Sequence, residues 1–75
     1  MVALFGNEVV ADPAILGGKP VIKGTRIPVV LVVDELSAGT SQEEIMQEYD
    51  LTREQIQAAL RYASAALREE IVIPV

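Results

Sequence analysis

The stretch Ser41-Gln42-Glu43-Glu44-Ile45-Met46-Gln47-Glu48-Tyr49-Asp50-Leu51-Thr52-Arg53-Glu54-Gln55 decides the fold, because it holds two helix starts in succession. In Ser41-Gln42-Glu43-Glu44 the serine oxygen can accept the amide hydrogen three residues on, while the glutamate reaches back to the serine amide. That reciprocal pairing satisfies two of the four donors orphaned at a helix N-terminus. Thr52-Arg53-Glu54-Gln55 repeats the pattern in its Thr/Gln form. The first box predicts a helix that buries Ile45 and Tyr49. The second predicts a longer one, in which Ile56, Ala59, Leu60, Ala63 and Leu67 form one stripe and Glu54, Gln57, Ala58, Arg61, Ala65 and Arg68 stay outside.

Working outward, the residues before Ser41 predict a further helix over about 29–38. Val30, Val33, Leu36 and Ser37 share a face, and Gly39 supplies the stop; the β-branched run lowers helix preference without abolishing it. Three helices, the last two joined by Asp50-Leu51-Thr52, make a trihelical helix-turn-helix core over 29–70 and a mainly α fold. Further upstream, 2–5 and Val9-Val10 are short and β-prone, which suits an arm or edge strand. Asp12-Pro13 reads as a cap followed by one helical turn over 13–16, ended by Gly17-Gly18. Lys19-Pro20-Val21-Ile22-Lys23-Gly24-Thr25-Arg26-Ile27-Pro28 reads as a hook, two extended pieces around a Lys-Gly turn. Those pieces need a strand to pair with, and Ile71-Val72-Ile73-Pro74-Val75 is the candidate, from the same chain or a twofold mate. The chain is thus read as a single domain over 1–75: β-arm and hook over 1–28, helical core over 29–70, C-terminal strand over 71–75.

Composition narrows the function. The chain has 75 residues, 51% of them hydrophobic, with one Phe, two Tyr and no Trp, so its core must be aliphatic. A domain this small removes only about 60% of its unfolded surface from water, and the surplus of apolar residues predicts a homodimer or another protein partner. With no Cys and no His, disulfides, thiolate metal sites and imidazole chemistry are excluded. Neither a cofactor nor a small-molecule substrate is expected. The apolar run 27–33 is too short to span a membrane, and the N-terminal residues lack the pattern of a secretion signal, so a cytoplasmic location is expected. Net charge is −5, unevenly spread: residues 1–33 carry a small positive excess and 34–75 hold nine of the eleven carboxylates. Any anion-facing surface should begin in the N-terminal half.

The run Asp12-Pro13-Ala14-Ile15-Leu16-Gly17-Gly18-Lys19-Pro20-Val21-Ile22-Lys23-Gly24-Thr25-Arg26-Ile27-Pro28-Val29, followed by Ala38-Gly39 and Ser41-Gln42-Glu43-Glu44-Ile45, closely resembles the bacterial family known as domain of unknown function 433. The resemblance covers almost all of the chain beyond Glu8. It implies a homeodomain-like helix-turn-helix fold and the role of an antitoxin in a type II toxin-antitoxin system, paired with a PIN-like ribonuclease toxin. One departure is visible: members commonly carry a proline after the tyrosine that closes the second helix, where this chain has Asp50-Leu51.

Two sets of residues are candidates for binding. In a helix-turn-helix unit the N-terminal exposed residues of the recognition helix meet the major groove of operator DNA, here Thr52, Arg53, Gln57 and Arg61. The competing reading is that both arginines are solvated surface residues beside Glu54, with Glu43, Glu44, Glu48 and Asp50 on the preceding element. Lys19, Lys23 and Arg26 on the hook form the second set. They can hold DNA phosphates or enter the acidic metal cleft of a partner nuclease; alternatively the loop is structural, with Gly18 and Gly24 in left-handed turns and Arg26 bonding to loop carbonyls. Gly17-Gly18-Lys19 lacks the order of a phosphate-binding loop. Glu44 and Glu48 lie one turn apart without a further metal ligand, and Ser37, Ser41 and Ser64 have no imidazole to activate them, so no catalytic residue is assigned. The expectation is a non-enzymatic, antitoxin-like module that binds DNA and a toxin; the alternative is an interaction or dimerisation module that never binds DNA.

Overall fold

Helix boundaries fall where capping chemistry puts them. In the computed structural model, which describes residues 2–5 and 8–70 and side chains from Glu8 to Arg68, three helices follow one another: α1 (Val29–Ser37), α2 (Gln42–Tyr49) and α3 (Arg53–Glu70). Both predicted boxes are formed. Ser41 Oγ accepts the Glu44 amide at 3.1 Å and Glu44 Oε1 accepts the Ser41 amide at 3.0 Å. Thr52 Oγ1 accepts the Gln55 amide at 3.1 Å and Gln55 Oε1 accepts the Thr52 amide at 2.8 Å. Gly39, at φ 96°, ends α1, its own amide bonding to Leu36 O and that of Thr40 to Glu35 O.

The turn between α2 and α3 holds Asp50-Leu51, where the resemblance leads to the expectation of a proline. Asp50 takes the left-handed conformation (φ 54°, ψ 46°) and donates its amide to Met46 O, as does Leu51 at 3.1 Å. A proline could do neither, having φ fixed near −65° and no N–H. A second tie spans this corner: the Glu35 carboxylate accepts the Tyr49 hydroxyl and the Thr40 hydroxyl, both at 2.9 Å.

Ahead of the helices lies a three-stranded antiparallel sheet in the order β1 (Val2–Phe5), β2 (Val9–Ala11), β3 (Val21–Ile22). This corrects one expectation. Val9-Val10 is the middle strand and not an edge, both residues being buried. The hook's strand partner is β2, with Val9 opposite Ile22 and Val10 opposite Val21; the expected partner, 71–75, lies outside the described residues. The short helix is displaced as well. Asp12 Oδ1 caps a turn by accepting the Ala14 amide, but the helical residues are a 3-10 turn at Leu16–Gly18, where φ is positive at Leu16, Gly17 and Gly18.

The core between sheet and helices is aliphatic throughout: Val9, Ile22, Val29, Val32, Ile45, Leu51, Ile56 and Ala59, with no buried polar residue among the described residues. Tyr49 and Leu36 pack against it half-buried. Three positions differ from the sequence reading. α1 buries Val29 and Val32 and leaves Val30 exposed, because the Val29 amide bonds to Pro20 O and so fixes which face of the helix meets the core. Ala58, placed outside, is buried because the sheet covers α3 on a second side. Leu67, placed in the stripe, is 56% exposed. The stripe is correct in direction, but α3 at 18 residues is twice the length of the 9-residue α1 beside it.

Candidate functional site

The two sets of candidate residues end in different electrostatic states. On α3, Thr52 is exposed, yet its hydroxyl is committed to the cap. Arg53 crosses to α2, its guanidinium donating to Gln42 Oε1 at 2.9 Å and to Glu43 Oε2 at 3.2 Å. Gln57 is half-buried. Arg61 lies 3.7 Å from Glu8 Oε1, at the threshold of the sheet. Each of the two arginines offered to DNA therefore faces a carboxylate. The Glu43 carboxyl sits below its ordinary value, first because of a backbone hydrogen bond at the start of α2 and then because of Arg53. Glu44 is lowered too, by the amide and hydroxyl of Ser41.

The hook is different. Its shape comes from a hairpin that closes on itself: the Ile22 amide bonds to Ile27 O, the Thr25 amide to Ile22 O, and the Lys23 amide to Glu8 O on the way to β2. The Thr25 side chain pins the turn, donating to Ile22 O at 2.7 Å and accepting the Ile27 amide at 3.0 Å. Gly24 carries a φ of 81°, so the structural reading of Gly24 and Thr25 is correct. That of Arg26 is not: it is exposed and makes no hydrogen bond to loop carbonyls among the described residues. Lys19 and Lys23 are exposed as well, and none of the three cations forms an ion pair among the described residues. Lys23 and Arg26 flank an open hollow of about 500 Å³ whose other lining includes Val10 and Ile15.

Sequence reasoning missed two features. The Tyr49–Glu35–Thr40 tie joins residues 14 and 5 positions apart and has no periodic signature. An open groove of about 350 Å³ between α1 and α3 exposes Val30 and Leu67; comparison of the two helix lengths was the signal that could have found it. No group of three or more described carboxylates could hold a metal ion, and no described helix is long and apolar enough to cross a membrane.

A small sheet feeding three helices, the last two in helix-turn-helix arrangement, places this chain among compact, mainly α domains of the trihelical kind. Its family is narrower: the chain belongs to the family described as Protein of unknown function (DUF433), whose model matches residues 9–63. An uncharacterized protein of Sinorhizobium fredii, y4eO, is 43% identical over 58 residues, covering 76% of this chain; the chain spans only 26% of that protein's length. The crystal structure of a DUF433 member protein from Anabaena variabilis superimposes with a TM-score of 0.78 at 31% identity, covering 85% of this chain and 64% of that one.

Proposed function

We propose that this chain is a non-enzymatic, antitoxin-like protein-binding domain, and that the cationic hook, rather than α3, meets the partner. One observation carries the reading: in a chain of net charge −5, Lys19, Lys23 and Arg26 gather on one hook and form no ion pair among the described residues, and Lys23 and Arg26 rim a hollow also lined by Val10 and Ile15. Exposed cations around an apolar floor suit an acidic protein surface with an apolar centre. The acidic cleft of a PIN-like nuclease is such a surface, and lysines entering it would compete with the metal ion that its carboxylates hold. Operator reading by Thr52, Arg53, Gln57 and Arg61 is the weaker reading. Exposed ion pairs are worth only about 0.2–1 kcal/mol and would yield to phosphate. Even so, the first turn of α3 would bring Glu43 and Glu54, both exposed, toward the DNA backbone.

Calorimetric titration with a PIN-like ribonuclease tests this. Binding should weaken by at least about tenfold per reversed charge in Lys19→Glu, Lys23→Glu and Arg26→Glu, and weaken with salt. Arg53→Ala and Arg61→Ala should leave it unchanged. Hook variants that bind like the parent would refute the assignment.

A further inference from the structure

The turn at Leu16–Gly18 holds three successive residues at positive φ: 50°, 67° and 87°. Glycine takes that region freely; leucine, whose Cβ crowds the following carbonyl there, takes it seldom. Leu16 is held in it by its neighbours. Asp12 Oδ1 accepts the Ala14 amide at 2.9 Å, Asp12 O the Ile15 amide at 2.8 Å, and Ile15 O the Gly18 amide at 3.0 Å. The core gains nothing from the arrangement, because Leu16 is 49% exposed and is neither in the core nor packed against it. Strained backbone of this kind persists where the surroundings over-determine it, and it clusters at ligand clamps.

What Leu16 meets is set by its place beside the hook. The preceding residue, Ile15, its Cα about 3.8 Å away, lines the open hollow of about 500 Å³ together with Val10, Lys23 and Arg26. Neither cation forms an ion pair among the described residues. A carboxylate alone would leave the apolar lining uncovered, and an apolar side chain alone would leave the cations unanswered. Both are met by a group that is apolar at its tip and negative at its flanks. On the reading that the hook meets the partner, we infer that its hollow receives one large apolar side chain from an acidic segment of the partner protein. Leu16 closes over that side chain, and Lys23 and Arg26 hold the carboxylates on either side. Turn and hairpin are both fixed by backbone hydrogen bonds before the segment arrives, so little ordering remains to oppose its docking.

Blocked pentapeptides titrated into the ¹⁵N-labelled full chain test this by amide shifts. One has phenylalanine at its centre and two glutamates on each side; the other has alanine at its centre and the same charge. The phenylalanine peptide should shift Val10, Ile15, Lys23 and Arg26 saturably, and bind at least about tenfold more tightly than the alanine peptide. Leu16→Gly, which suits the positive φ, should hold or raise the melting temperature and yet weaken the phenylalanine peptide by at least about fivefold. Leu67→Ala, at an exposed leucine of α3, should leave the affinity unchanged. Equal affinities for the two peptides would overturn the inference, as would a Leu16→Gly variant that binds like the parent, or no saturable shift from the phenylalanine peptide. None of these results touches the hook's cations, which are decided by charge reversal in the ribonuclease titration; failure there would overturn the reading on which the inference rests.

Discussion

Asp50 offers the most discriminating test of the turn on which the helix-turn-helix arrangement depends. It holds φ at 54° and donates its amide to Met46 O, with Leu51 bonding to the same carbonyl. For a residue with a side chain the left-handed region costs about 1–2 kcal/mol, somewhat less for aspartate. Glycine removes that cost and adds about 0.5–1 kcal/mol of unfolded-state entropy. Asp50→Gly should therefore stabilise by a few tenths of a kcal/mol up to about 0.5 kcal/mol. Asp50→Ala keeps the cost and loses whatever relief a short polar side chain gives, so it should lie below the parent. Asp50→Pro forfeits the Met46 bond, worth about 1 kcal/mol, and must rebuild the turn, for a total near 3 kcal/mol. In a domain of this size 1 kcal/mol moves Tm by about 4–8 °C. Melts followed by circular dichroism at 222 nm should rank glycine, aspartate, alanine, proline, with the proline variant more than about 10 °C below the parent. A proline variant that melts with or above the parent would show that the left-handed closure is not what joins α2 to α3.

Other consequences follow from the same geometry. Ile45 and Ile56 are fully buried, so either one changed to Ala should cost about 2–5 kcal/mol, against a total of only about 4–11 kcal/mol for a chain of this length; the double variant should be unfolded at 25 °C by chemical denaturation. Thr52→Ala, removing the cap of α3, should cost about 1 kcal/mol in the same assay. The Tyr49 hydroxyl donates to Glu35, and this bond, with burial and the nearby negative charge, raises its pKa above the ordinary 10.0. The stability it confers is full below the unfolded pKa and lost as pH rises through the folded one. A late component in the phenolate absorbance should vanish in Tyr49→Phe. Glu43 and Glu44 are lowered from 4.5, so their contribution is present above that value and lost as pH falls through the folded pKa values. Ser41→Ala should reduce the acid sensitivity of the melting temperature.

The helical half of the fold was legible because its signals are local. Ser41, Glu44, Thr52 and Gln55 bond within three residues of one another, and Gly39 marks a conformation that few residues accept. The N-terminal half was legible as turns but not as pairings. Nothing within Val9-Val10 says that it lies between two strands, since that depends on Val21 and Ile22 arriving from more than ten residues away. The same distinction separates right from wrong within α3: periodicity placed Ile56 and Ala59 inside, but the burial of Ala58 and the exposure of Leu67 depend on where the sheet lies and where α1 stops. For the candidate site, residue type identified the cations, but only the fold shows that Arg53 and Arg61 face Glu43 and Glu8 while Lys19, Lys23 and Arg26 face outward.

The central claim is that the hook binds a protein partner and α3 does not read DNA. Amide chemical-shift mapping of the ¹⁵N-labelled chain tests it most directly, in parallel titrations with a PIN-like ribonuclease and with a duplex carrying the gene's own upstream region. Saturable shifts confined to residues 19–27 and the neighbouring Val10 and Ile15, produced by the nuclease and not by the duplex, are the predicted result. Saturable, sequence-selective shifts at Thr52, Arg53, Gln57 and Arg61 on adding the duplex would contradict it.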